Sequence, residues 1–222
     1  MRFPEESHSM KMSITVRNSA REAVTIILAV VVLAAGCLPG AVAEAAASED
    51  GATLYATCAA CHGKDGGGLR DGTVPAIGGQ PAAVVLKALE DFRAGRRRDL
   101  RMQHFTDAEH LSGTAALQAI AAYVAGLKRT TRVAQGAGTA LEIGKREFAR
   151  ACSACHGAGG AAVAARGIPA LAGQHASYLE RKLREAMLPG NTLARSHGAI
   201  VSRLAEGQGA AIADWLSRQP GP

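Results

Sequence analysis

The chain has 222 residues, 48% of them apolar and 20% charged, a balance that excludes wholesale disorder, collagen-like repeats and a multi-span membrane protein. Aromatic residues make up only 4%, with Trp215 the single tryptophan, so little bulky side chain is available to fill a core. A formal net charge of +6, from 25 Lys and Arg against 19 Asp and Glu, suits acidic partners without implying nucleic acid.

The first 22 residues carry Arg2, Lys11, Arg17 and Arg21, and the 21 residues from Ala23 to Ala43 carry no charge. A basic start, an apolar stretch richest from Val24 to Ala35, and Ala41-Val42-Ala43 before Glu44 predict a secretory signal over residues 1–43, cleaved after Ala43. The alternative is an uncleaved anchor, since 21 residues can just span a bilayer, but Leu38-Pro39-Gly40 interrupts the run. A further alternative is lipidation at Cys37, because Ala34-Ala35-Gly36-Cys37 weakly resembles a lipoprotein site. Export places the protein in the periplasm and leaves four cysteines, at 58, 61, 152 and 155.

The mature chain repeats itself. Cys58-Ala-Ala-Cys61-His62 recurs 94 residues on as Cys152-Ser-Ala-Cys155-His156, and Pro75-Ala-Ile-Gly-Gly-Gln80 recurs at the same shift as Pro169-Ala-Leu-Ala-Gly-Gln174. The shift falls to 93 where His104 and Leu111 match His197 and Leu204, and to 92 where Tyr123 matches Trp215. Two domains follow, at 44–127 and 140–222, joined by a polar, Gly-bearing linker at 128–139. In each copy a short helical segment leads into the cysteine motif and a Gly-rich loop follows it. Helices are then predicted over Ala82 to Phe92 and Ala176 to Leu188, followed by a loop. A closing helix ends each copy; in the first, Leu117, Ile120, Ala121, Val124 and Leu127 form one stripe. No run has the alternation and β-branching of a sheet strand, so the fold class is all-α. Domains of about 80 to 90 residues are marginal on polypeptide core alone.

Cys-x-x-Cys-His is the attachment pattern of c-type haem: two thiols add to the vinyl groups as thioethers, and the adjacent His reaches the iron. A four-cysteine zinc site does not explain a His after both pairs. A disulfide between cysteines three apart closes a small strained loop and constrains little. Two covalently bound haem c groups, on Cys58, Cys61 and His62 and on Cys152, Cys155 and His156, account for both motifs and supply the bulk missing from the aromatic count.

Two such motifs, each followed by Pro-x-x-x-Gly-Gln, a helix, a variable loop and an aromatic-bearing last helix, resemble the cytochrome c4 family over roughly residues 49 to 219. The resemblance implies two class I cytochrome c domains related by a pseudo-twofold axis, and a periplasmic role in passing electrons between redox proteins. It also implies that the carbonyls of Pro75 and Pro169 accept the N–H of the proximal imidazoles. In that family the distal ligand is a Met about seven residues before a Leu, and counting back from Leu111 and Leu204 gives His104 and His197. The mature chain has two methionines, Met102 and Met187, which are not repeat-equivalent. His197 is therefore the expected ligand in the second domain. In the first, His104 is favoured by symmetry and Met102 by family chemistry. A bis-His pair lowers the potential relative to His–Met. His110 is expected in solvent, His175 at an interface or surface, and Met187 in packing.

Arg96-Arg97-Arg98 and Arg101, in the loop before the distal residues, read as a solvated face or as a docking patch for an acidic redox partner. No interleaved aromatics support nucleic-acid binding. The favoured function is single-electron transfer, with no catalytic residues. The alternatives are a haem enzyme, such as a peroxidase or sulfur-compound dehydrogenase, and a haem subunit of a dehydrogenase complex, with association at the inner membrane one form of partnership. Donor and acceptor are not named by the sequence.

Overall fold

The computed structural model describes residues 50–222; the expected signal segment, its expected cleavage site and Cys37 lie outside them. The first half is α1 (Gly51–His62), α2 (Ala82–Arg93), α3 (Leu100–Thr106) and α4 (Gly113–Gly126). The second is α5 (Leu141–Ala151), α6 (Ser153–His156), two 3-10 turns (Ala158–Gly160 and Ala164–Arg166), α7 (Ala176–Glu185), α8 (Thr192–Val201) and α9 (Gln208–Ser217). Among the described residues there is no strand, only an isolated antiparallel bridge between Val163 and Ile168. The architecture is all-α and built twice. No described helix is long and apolar enough to cross a membrane.

In each half the first and last helices cross closely. α4 packs on α1 and α2, and α9 packs on α5 and α7. The expected stripe is the buried face of α4: Leu117, Ile120, Ala121 and Val124 are at most 2% exposed. Leu127 lies one residue past the helix and is partly buried against the same core. The second core is built on Phe148, Leu179, Ile212, Ala213 and Leu216. Glycine permits both crossings. A Cβ on Gly51 would strike the Ala119 carbonyl and Tyr123, and one on Gly144 would strike the Ala211 carbonyl and Trp215, the repeat-equivalent contacts.

Two local expectations are corrected. The segments expected as loops before the closing helices are helical. Asp99 caps α3 by accepting from the N–H groups of Arg101 (3.1 Å) and Met102 (3.3 Å). Asn191 caps α8 through the N–H of Leu193 at 2.9 Å. Conversely, α7 stops at Glu185 instead of reaching Leu188. Pro189 disfavours helical geometry in the residue before it, and the chain tightens into three-residue turns from Met187 to Arg184 and Leu188 to Glu185.

The halves join through their repeated Gly-Gln motifs. Gln174 accepts the N–H of Ala76 at 2.9 Å and donates to its carbonyl at 2.7 Å. Gln80 does the same to Ala170, at 3.0 and 2.8 Å. All four partners are buried. His175, wholly buried, accepts from the N–H of Ala134 (3.0 Å) and donates from Nε2 to the Gly67 carbonyl (2.8 Å), tying the linker to both halves. Asp65 accepts from the backbone of Thr130 and Thr131, and Asp214 from Gly136 and Gly138, so the linker is fastened at each end.

Candidate functional site

Both cysteine motifs end a helix, α1 in the first half and α6 in the second. In the second half the helix breaks at Cys152, whose φ of −122° interrupts the path that α1 follows without a break. Among the described residues no cysteine is in a disulfide; Cys58 and Cys152 are half-buried, and Cys61 and Cys155 are exposed. The three-residue spacing puts each pair on one face of its turn. His62 is buried and donates from Nδ1 to the Pro75 carbonyl at 3.1 Å. Burial holds its pKa below the usual histidine range, with the Pro75 bond acting the other way. Burial thus favours the neutral ring, whose Nε2 lies outside the bond to Pro75.

His156 differs. Its Nδ1 is buried without a hydrogen bond of sound geometry. Burial and then the neighbouring His197 lower its pKa, while the Pro169 carbonyl opposes them. The carbonyl thus lies beside the ring although the bond seen at Pro75 is not closed.

On the opposite side, α8 presents His197. Its ring centroid is 6.0 Å from that of His156, with the planes 39° apart. Ser196 Oγ lies 2.7 Å from His197 Nδ1, which leaves Nε2 uncommitted. Metal–nitrogen bonds of about 2.0–2.1 Å would let both rings reach one ion across this gap. The second half therefore brings His156 and His197 together.

The first half is arranged differently. Met102 is half-buried and packs on the core that also takes in Cys58 and Ala59. Asp99 and Arg101, at the start of α3, lie near enough to His62 to influence its charge. His104 points the other way. Its side chain is 59% exposed, its Nδ1 is 3.9 Å from an Asp107 oxygen, and its ring lies 4.1 Å from that of His110. Met187, expected in packing, is instead 49% exposed beyond α7.

One positioning residue carried no signal in the sequence. Arg93, at the end of α2, donates to the carbonyls of Thr106 (2.6 Å), Leu111 (2.6 Å) and Gly113 (3.3 Å), fixing the segment that follows Met102. The arginine run is largely paired. Arg96 meets Asp91 at 2.7 Å, Arg101 meets Asp99 at 3.5 Å, and Arg97 donates to the Tyr178 hydroxyl across the domain boundary at 3.0 Å.

Each half thus offers two thiols, a neutral imidazole with Nε2 free, and a second soft or imidazole donor, a set that fits haem c. The sequence matches the cytochrome c family over residues 48–128 and again over 141–219. It is 32% identical over 177 residues to a thiosulfate dehydrogenase electron acceptor from Thiomonas intermedia, covering 74% of this chain and 79% of that protein. It is 31% identical to cytochrome c4 of Pseudomonas aeruginosa over 175 residues, 75% of this chain and 85% of that one. The crystal structure of reduced recombinant cytochrome c4 from Pseudomonas stutzeri superposes with a TM-score of 0.66 at 24% identity, covering 77% of this chain and 97% of that chain. A thiosulfate dehydrogenase structure from Marichromatium purpuratum gives 0.66 at 27% identity, covering 78% of this chain and 40% of that chain. The chain belongs to the cytochrome c family, as a tandem protein of the cytochrome c4 kind with two covalently bound haem c groups.

Proposed function

We propose that the protein carries single electrons in the periplasm between redox partner proteins; His62 and Met102 would hold the iron of the first haem, and His156 and His197 that of the second. The observation that carries this reading is the His197 ring facing His156 at 6.0 Å, set against Met102 packed inward and His104 turned out. When bound, each haem supplies a one-electron ferric–ferrous couple. His62 holds its ring orientation through Pro75, which keeps Nε2 directed and basic. Met102 supplies a thioether, which favours the reduced state, whereas His197 supplies an imidazole, which favours the oxidised one. With these donors the first site would lie at the higher potential, so an electron delivered to the second half would pass downhill to the first.

Near-infrared magnetic circular dichroism of the ferric protein tests this. One His–Met and one bis-His signal are expected. Two bis-His signals would return His104 to the first iron, and a high-spin signal would favour the enzyme reading.

For the donor, we propose a sulfur-compound dehydrogenase, on the likeness to proteins named thiosulfate dehydrogenase electron acceptors. Stopped-flow mixing with reduced thiosulfate dehydrogenase should reduce the second haem first; absence of reduction at physiological salt would sink this assignment.

A further inference from the structure

His104, Asp107 and His110 gather where α3 ends, with one ligand atom from each lying within 4.8 Å of the others. Asp107 Oδ1 is committed: it accepts the N–H groups of Glu109 (3.0 Å) and His110 (2.9 Å) and lies 2.7 Å from His110 Nδ1. Oδ2 faces His104 Nδ1 at 3.9 Å, too far for a hydrogen bond. The bond to Asp107 fixes the His110 tautomer and leaves its Nε2 lone pair out of that bond. Those hydrogen bonds from His110 also keep the carboxyl ionised, below its ordinary range. The turn is therefore closed by one carboxylate oxygen, while the other oxygen and two imidazoles converge without bonds that use them up.

We propose that His104, Asp107 and His110 form a surface site for a borderline divalent transition metal such as zinc, beside the distal segment of the first haem. Two imidazoles and one carboxylate suit zinc or copper(II), with water completing the coordination. The inference rests on Met102, not His104, holding the first iron. Of the histidines after residue 43, His62, His156 and His197 then serve the haems and His175 is buried, so His104 and His110 are the pair left to solvent. The site begins two residues along α3 from Met102. A bound dication there opposes the extra positive charge of ferric iron, so occupancy raises the potential of the first haem and leaves the second nearly unchanged.

Calorimetric titration of zinc chloride into the purified two-haem protein should show one equivalent bound. His110→Ala and Asp107→Asn should each weaken binding tenfold or more, with haem spectra unchanged. His104→Ala should do the same while keeping the methionine–iron charge-transfer band. Voltammetry should show the first midpoint rising with zinc in the wild type and not in His110→Ala. Undiminished binding in His104→Ala and His110→Ala, or no binding at submillimolar zinc, overturns the site. Loss of the native first-haem spectrum in His104→Ala would instead show His104 on the iron, and the Met102 reading would fall together with the site.

Discussion

His197 and Met102 occupy comparable stretches of the repeat, and under the proposed ligation they would hand their domains different chemistry. What fixes each donor is local: Ser196 engages one nitrogen of His197, and Arg93 holds the backbone downstream of Met102 by three carbonyls. Arg93→Ala leaves the buried Thr106 carbonyl without its donor, a loss of about 1–3 kcal/mol for an unsatisfied group. The variant should also loosen Met102, which a high-spin fraction at the first haem would report while the second haem stays low-spin. Unchanged spectra with lowered stability would reduce Arg93 to a structural residue. In the second half, His197→Met should raise the potential of the second haem toward that of the first, measurable by redox titration.

The helix crossings depend on glycine at equivalent points, Gly51 and Gly144. Gly144→Ala pushes a methyl into the Ala211 carbonyl and Trp215, so α5 and α9 must part. The expected cost is about 1–3 kcal/mol in thermal or denaturant unfolding, the range for overpacking a tight contact. At this scale much was legible beforehand. The stripe of α4 and the helices after each Gly-rich loop follow from apolar spacing alone. The helical form of α3 and α8 did not emerge, because each rests on one capping residue, Asp99 or Asn191, before a segment of weak periodicity. The cysteine motifs and their adjacent histidines were legible because covalent chemistry demands a fixed spacing. The choice between Met102 and His104 stayed open, since symmetry favoured one and ligand chemistry the other, two residues apart on one short helix.

For the whole molecule, the reciprocal Gln80 and Gln174 contacts join the two proximal systems. Each glutamine grips the residue after the proline that neighbours the other half's proximal histidine. Gln174→Ala strands both backbone groups of Ala76, costing about 2–6 kcal/mol for two buried groups. Through Pro75 it should shift the midpoint of the first haem more than that of the second, and Gln80→Ala should do the reverse; equal shifts in both variants would contradict the crossed arrangement.

Proton linkage acts at the same boundary. His175 must stay neutral to accept from Ala134 while donating to Gly67. Burial lowers its pKa first; Arg129 and Arg70 add to that, and the Gly67 carbonyl and Asp71 oppose it. A depressed histidine stabilises the fold above its unfolded value of about 6.5, and that contribution is lost as pH falls through the folded value. Thermal stability should therefore decline on acidification below about pH 6.5, less steeply in His175→Asn.

The glutamine contacts also carry a history. Equivalent residues meet in exchanged roles, residue i on j and j on i, which is the form of an interface between two identical chains about a twofold axis. A single-haem ancestor that paired with itself through these contacts, later fused by the linker, accounts for the arrangement. In a homodimer every substitution falls on both subunits at once. Fusion releases that constraint, so each copy can change its donors alone, and under the proposed ligation a symmetric pair would become a directional one.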